Sequence, residues 1–180
     1  MAAIKTHSNA ATRIAFLADT HCRKDDASDF PQEAMDALAG ADLIVHLGDV
    51  GKEGLLTRLA TLAPVITPKR GAGEVIEAGG VRVGITFDLV KLGVARSVDK
   101  SGLELADGSV SQAFGGDVQA VAFAATHREL KQEHAGVVFF NPGSPTLPSD
   151  RKGESDIGSV ALLEVKDGRA KIELVRLSKA

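Results

Sequence analysis

The run Ile14-Ala15-Phe16-Leu17-Ala18-Asp19-Thr20-His21 constrains this chain more than any other stretch. It is apolar and strand-like, then stops abruptly at a carboxylate and an imidazole two residues apart. On an extended segment, residues i and i+2 project to the same side, so Asp19 and His21 are placed to grip one cation. A second run, Leu43-Ile44-Val45-His46-Leu47-Gly48-Asp49, repeats the pattern of a buried strand ending in a carboxylate, with a glycine to let the backbone turn. Two strands thus deliver ligands to one edge.

A chain of 180 residues, 44% hydrophobic and 25% charged, has ordinary globular composition and enough length for one continuous core. The formal charge of −3 gives no basic footprint, and seven Phe with no Trp or Tyr offer little for bases to stack on. Nucleic acid as a standing partner is therefore unsupported. Cys22 is the single cysteine and has no internal disulfide partner, which fits a reducing compartment. No apolar run approaches the roughly 18 residues needed to span a bilayer, and residues 1–11 read as a loose polar tail rather than a signal peptide. A cytoplasmic location without membrane attachment is the expectation.

Taken in order, Phe30–Leu38 has a proline near its start and apolar residues at helical spacing, and Gly40 stops it. Leu43–Leu47 is a strand, and Lys52–Leu62 repeats leucines at helical spacing. Strand, helix, strand, helix argues for parallel pairing with functional residues at the carboxyl ends of the strands. Pro64–Thr67 makes a third short strand. Gly79-Gly80 then joins Glu74–Ala78 to Val81–Thr86 as a hairpin, and Asp167-Gly168 joins Ser159–Val165 to Lys171–Val175 as another. Residues 88–107 have no assignable pattern, 108–116 suggest a short helix, and Val118–Ala125 reads as a buried strand running into Thr126-His127. Gly136–Phe140 leads into the turn-rich Asn141-Pro142-Gly143-Ser144-Pro145.

Four stretches in this order, Leu17-Ala18-Asp19-Thr20-His21, His46-Leu47-Gly48-Asp49-Val50, Ala125-Thr126-His127 and Phe140-Asn141-Pro142-Gly143-Ser144-Pro145, resemble those of the calcineurin-like metallophosphoesterases. The likeness is strongest to the small bacterial and archaeal phosphodiesterase subgroup and covers nearly the whole chain. It implies an α/β fold of two stacked mixed sheets flanked by helices, a four-layer α-β-β-α sandwich formed by residues 12–180 as one domain. It also implies a metal site of Asp19, His21, Asp49 and His127. Zinc, iron, nickel and manganese all suit this mixed nitrogen and oxygen set.

Relatives of this type hold a second ion, bridged by the residue matching Asp49. The remaining positions of that second site fall on Ala72, Phe87 and Ala125, none of which is a ligand, and Gly73 takes the place of a proton donor. The resemblance therefore implies one divalent transition metal and reduced activity toward a small phosphomonoester or phosphodiester. The alternatives are an inactive binding or scaffold module with a protein partner, as in the scaffold subunit of the eukaryotic retromer complex, or a phosphate or nucleotide sensor. Lys69 and Arg70 are candidate phosphate contacts, against the commoner reading of solvated loop charges; Lys91 lies near the same half in sequence. His46, inside an apolar run, and Asn141 are expected to support the site rather than bind metal. Cys22 is expected to pack, His134 to be exposed, and Asp88 to make a poor substitute ligand.

Overall fold

The computed structural model describes residues 11–107, 110–150 and 156–179. The tail expected over residues 1–11 lies outside these residues except for Ala11, as do residues 151–155 of the polar loop after Ser149.

Three strands follow the opening pattern of the sequence, β1 (Thr12–Leu17), β2 (Leu43–His46) and β3 (Val65–Ile66), and are joined later by β11 (Asp156–Lys166) and its partner across the Asp167-Gly168 turn, β12 (Arg169–Ser178). They form a five-stranded sheet in the order β12-β11-β1-β2-β3, parallel from β1 to β3 and antiparallel beyond. Between the parallel strands lie α1 (Gln32–Leu38) and α2 (Gly54–Leu59). Both are shorter than their leucine spacing suggests. Pro31 precedes α1 in an extended conformation, so the helix begins at Gln32, two residues after the expected start at Phe30, and Thr61 and Leu62 sit in turns rather than in α2.

A second five-stranded sheet comprises β4 (Glu74–Ala78), β5 (Val81–Ile85), β8 (Ala120–Ala122), β9 (Glu129–His134) and β10 (Val137–Pro142), in the order β4-β5-β8-β10-β9. The expected hairpin across Gly79-Gly80 is present. The buried strand expected over Val118–Ala125 is only three residues of ladder, because the chain leaves the sheet at Phe123 to form the site. The region without a sequence pattern contains a two-stranded ribbon, β6 (Ala95–Asp99) with β7 (Gly102–Leu105), followed by the single-turn α3 (Val110–Ala113).

These pieces stack in four layers. Side chains alternate along β1, so Ile14 and Phe16 enter the core between the sheets, while Ala15 and Leu17 face α1 and α2. Ile76, Val83, Ala120 and Phe140 meet them from the second sheet, and Phe16 and Phe140 pack edge to face with ring centroids 5.0 Å apart. The outer face of the second sheet is covered by Phe114, which follows α3, Val94, which precedes β6, and Leu103 of β7, so the fourth layer is mostly β-ribbon with one helical turn. His134, expected in solvent, is half-buried on β9, with its ring edge-to-face on Phe139 and its Nε2 2.8 Å from the Gln132 amide. Among the described residues, no helix is long and apolar enough to cross a membrane.

Phe140 joins both sheets and is fully buried. Phe140→Ala is expected to lower the unfolding free energy by about 3–5 kcal/mol, read as a lower urea midpoint with the slope unchanged.

Candidate metal centre

The site forms where both sheets end. Past Leu17 and His46, the chain no longer follows strand geometry: Asp19, His21, Asp49, Ala125 and His127 all have left-handed backbone angles, with φ of 51°, 45°, 52°, 70° and 56°. The sequence suggested that Asp19 and His21 share a face of an extended segment. They converge instead through left-handed backbone at Asp19 and His21, on either side of Thr20, while the segment runs alongside the loop after β2, with Asp19 N–H donating to the Gly48 carbonyl and His21 N–H to the Asp49 carbonyl, both at 3.0 Å. Non-glycine residues are rare in this region and cluster at functional sites.

Asp19 is fully buried. Its Oδ2 accepts the His127 N–H at 3.3 Å, while its buried Oδ1 has no hydrogen-bond partner. His21 and His127 bring their Nε2 atoms to 3.3 Å, with rings stacked at 5.0 Å between centroids. The ligand atoms of Asp19, His21 and His127 all lie within 4.8 Å of one another. This arrangement fits a metal ion: two nitrogens bound at about 2.1 Å to a tetrahedral ion stand roughly 3.4 Å apart, and an orphaned carboxylate oxygen beside them supplies charge. His127 Nδ1 lies 2.9 Å from the Leu147 carbonyl, which only accepts, so Nδ1 carries the proton and Nε2 keeps its lone pair for an ion. Burial raises the pKa of Asp19, against the opposing pull of His127.

Asp49 stands outside that trio. Its Oδ2 is 3.9 Å from His21 Nε2, and its Oδ1 accepts from Arg70 Nη2 at 3.1 Å. The Arg70 guanidinium lies over the Phe87 ring at 5.8 Å, and a Cβ on Gly48 would meet Phe87 Cδ2 at 2.5 Å. Gly48, with φ of 139°, is therefore required both for the turn and to admit the ring beside Asp49. Ala72 accepts from Thr86 Oγ1 through its carbonyl at 3.0 Å, and neither it, Phe87 nor Ala125 offers a side-chain donor atom for a metal. Lys91 pairs with Asp88 at 3.5 Å, and Asp88 Oδ1 also accepts the Val90 and Lys91 N–H groups; both residues belong to that turn. Lys69 contributes its backbone N–H to Glu74 Oε1.

Supporting contacts hold the loops. Gly48 N–H donates to His46 Nδ1 at 3.2 Å, so the His46 proton is on Nε2 and reaches Thr20 Oγ1 at 2.8 Å, while Thr20 donates to the Val50 carbonyl at 2.9 Å. Asn141, buried, donates to Ala124 O and Thr126 Oγ1 and accepts Gly143 N–H, tying the His127 loop to β10. Ser144 belongs to the turn-rich stretch that carries the resemblance, whereas Thr146 was not singled out by the sequence; Ser144 Oγ donates to the Asp19 carbonyl at 2.8 Å and Thr146 Oγ1 to the Thr20 carbonyl at 2.6 Å. Cys22 packs as expected, and burial raises its thiol to about 11. Two concavities meet at His127: a groove of about 880 Å³ along His21, Cys22, Arg23, Lys52 and Leu147, and a cleft of about 230 Å³ with Lys100, Arg128 and Arg176 on its walls.

Residues 12–168 match the model of the calcineurin-like phosphoesterase superfamily domain, and the chain belongs to that family. It is 32% identical over 149 residues to a probable metallophosphoesterase of Methanothermobacter thermautotrophicus, covering 75% of this chain and 78% of that one. In fold it is similar to zinc-complexed wild-type Vps29 of Entamoeba histolytica, at 21% identity and a TM-score of 0.59 over 92% of this chain and 99% of that one. It is also similar to a solved archaeal phosphodiesterase, at 14% identity and a TM-score of 0.58 over 91% of this chain and 100% of that one. The four-layer arrangement agrees with the fold these relatives share.

Burial holds His46 far below its ordinary value, at about 3, with the nearby His21 adding to the effect. The unfolded chain therefore takes up the proton first. The contribution of His46 to stability is complete above pH ~6.5 and drains as the pH falls toward 3, by up to about 1.4 kcal/mol per unit. The raised Asp19 acts in the opposite sense, favouring the fold as it protonates. In metal-free protein, His46→Gln is expected to flatten the fall in urea midpoint between about pH 6.5 and 4.5, while lowering stability at pH 7.

Proposed function

We propose that this protein hydrolyses a small phosphomonoester or phosphodiester, using one divalent transition metal ion held by Asp19, His21, Asp49 and His127. The observation that carries the reading is the pair of Nε2 atoms 3.3 Å apart beside the unpartnered, buried Asp19 Oδ1. When bound, such an ion polarises a phosphoryl oxygen and lowers the pKa of water. The chain's own part is to fix the ion's position. Asp19 supplies a buried negative charge, His127 presents Nε2 because Leu147 O holds its other proton, and Asp49 borders the ion on the solvent side. The groove and cleft on either side of His127 leave room for the two substituents of a phosphodiester.

Slow turnover is part of this reading. Ala72, Phe87 and Ala125 provide no ligands for a second ion, and Cys22, beside His21, is buried with a thiol raised to about 11, unsuited to giving a proton to a leaving group near neutral pH.

Manganese-loaded protein is expected to contain one ion per chain by elemental analysis and to hydrolyse a chromogenic phosphodiester. Asp49→Ala is expected to reduce the rate by at least about a hundredfold, since changing even the groups behind a metal ligand costs tenfold to a hundredfold. Protein that takes up no metal, or keeps its activity in the Asp49 variant, would refute the proposal. Bound metal without turnover would point to a non-catalytic binding module on the same fold.

A further inference from the structure

We infer that Arg70 is the second cation of the phosphoryl-binding site: its guanidinium, held between the Phe87 ring and Asp49, binds an oxyanion seated on the metal and takes the place of a second metal ion. The inference rests on the single-metal reading above for the position of that oxyanion, and on the following geometry for Arg70.

Asp49 presents its two carboxylate oxygens to two different partners. Oδ2 is 3.9 Å from His21 Nε2 and borders the trio of ligand atoms, while Oδ1 holds Arg70 Nη2 at 3.1 Å. The carboxylate thus stands between two cation positions, one suited to a metal and one already filled by a guanidinium. Among the described residues beside Arg70, Phe87 presents an aromatic ring to the guanidinium and Ala72, two positions along, has only a methyl side chain; neither can ligate a second metal.

The base of Arg70 is fixed. Its turn is closed by Ala72 N–H on the Lys69 carbonyl at 3.1 Å, anchored by Lys69 N–H on Glu74 Oε1 at 2.8 Å and pinned to the end of β5 by Thr86 Oγ1 on the Ala72 carbonyl. Phe87 supports the guanidinium from below and is itself seated against Gly48, where no larger residue fits. Yet the side chain remains 83% exposed, against 30% for Asp49. An exposed ion pair of this kind adds little to stability. Of the five guanidinium N–H donors, only one is given a partner by Asp49, and a planar donor fork is suited to bidentate binding of tetrahedral oxyanions. Lysine offers a point charge without that fork, so Arg70→Lys would be only a partial replacement.

The test uses the full chain, with metal counting and calorimetric titration of inorganic phosphate into the wild type, Arg70→Ala and Arg70→Lys, each manganese-loaded and metal-free. The expected result is one ion per chain in all three, with phosphate affinity of the loaded protein reduced at least about tenfold in Arg70→Ala and partly recovered in Arg70→Lys. Phosphate affinity in Arg70→Ala within about twofold of wild type would overturn the assignment while leaving the single-metal reading intact. Two ions per wild-type chain would overturn it as well, because the second ion would then hold the place given to Arg70. If the wild type takes up no metal, the single-metal reading fails on its own, and the metal-free titrations still decide: phosphate binding lost in Arg70→Ala supports the role of Arg70, and equal or absent binding in both proteins removes it.

Discussion

A fully buried carboxylate with one oxygen left without a hydrogen bond is the constraint around which this structure is arranged. An ionised carboxylate away from water is costly unless a cation or several donors face it. Asp19 has one donor, the His127 N–H, and two imidazoles whose Nε2 atoms converge beside the orphaned oxygen. The neighbourhood therefore has two ways to become comfortable, protonation of Asp19 or a metal ion. Burial raises the pKa of Asp19, which favours the first. The groups that hold Asp19 come from all around the seam: the Gly48 carbonyl from the β2 end, Ser144 from the loop after β10, and His127 from the loop after β8. Both sheets must be assembled before this corner exists.

The corner is also where the backbone departs from regular structure. Each left-handed non-glycine residue costs on the order of 1 kcal/mol or more, and five of them lie within one site. They persist because the strands behind them are locked by packing. Ile14, Phe16 and Val45 are fixed between the sheets, and β8 is held on both sides by parallel neighbours β5 and β10. The side-chain bonds of His46, Asn141 and Thr20 then over-determine the loops. Neutral His46 serves this purpose because each of its nitrogens has one fixed role, acceptor from Gly48 and donor to Thr20, which a protonated ring would lose.

Much of this was legible in the sequence because the central strands are continuous apolar runs and the strands are punctuated by turn residues. β1, β2 and the two hairpins declare themselves in that way. β9 does not: Glu129-Leu130-Lys131-Gln132-Glu133-His134 is polar on its outward face and becomes a strand only because β10 offers a free edge. The β6-β7 ribbon is similarly hidden, since its pairing is decided by packing over Phe139 and Phe123 rather than by an apolar pattern of its own. At the site, residue type and order pointed to Asp19, His21 and His127, which the structure brings together, although Asp19 and His21 meet through left-handed backbone rather than along an extended segment. Thr146 and the Leu147 carbonyl had no such signal, and Ser144 was marked only as part of a turn, because hydroxyls and backbone carbonyls acquire their roles only when distant loops meet. Arg70 was one charge among several in a loop; its direction depends on Phe87, seventeen positions along and itself seated against a glycine in the loop after β2.

The two carboxylates of the site do not carry equal weight. Asp19 is sealed from water, so whatever neutralises it acts in a medium of low effective dielectric, where a cation is held strongly and its loss is felt by the fold. Asp49 is partly exposed, and water and Arg70 already share its charge. Removing a cation from Asp19 exposes an uncompensated buried group, whereas removing one from Asp49 returns a solvated carboxylate to water. A cation placed among Asp19, His21 and His127 would therefore be anchored chiefly by the buried Asp19, whereas Asp49 has more freedom to exchange partners. A site divided in this way keeps its anchoring charge fixed while its outer carboxylate and guanidinium remain open to the solvent from which a ligand would arrive.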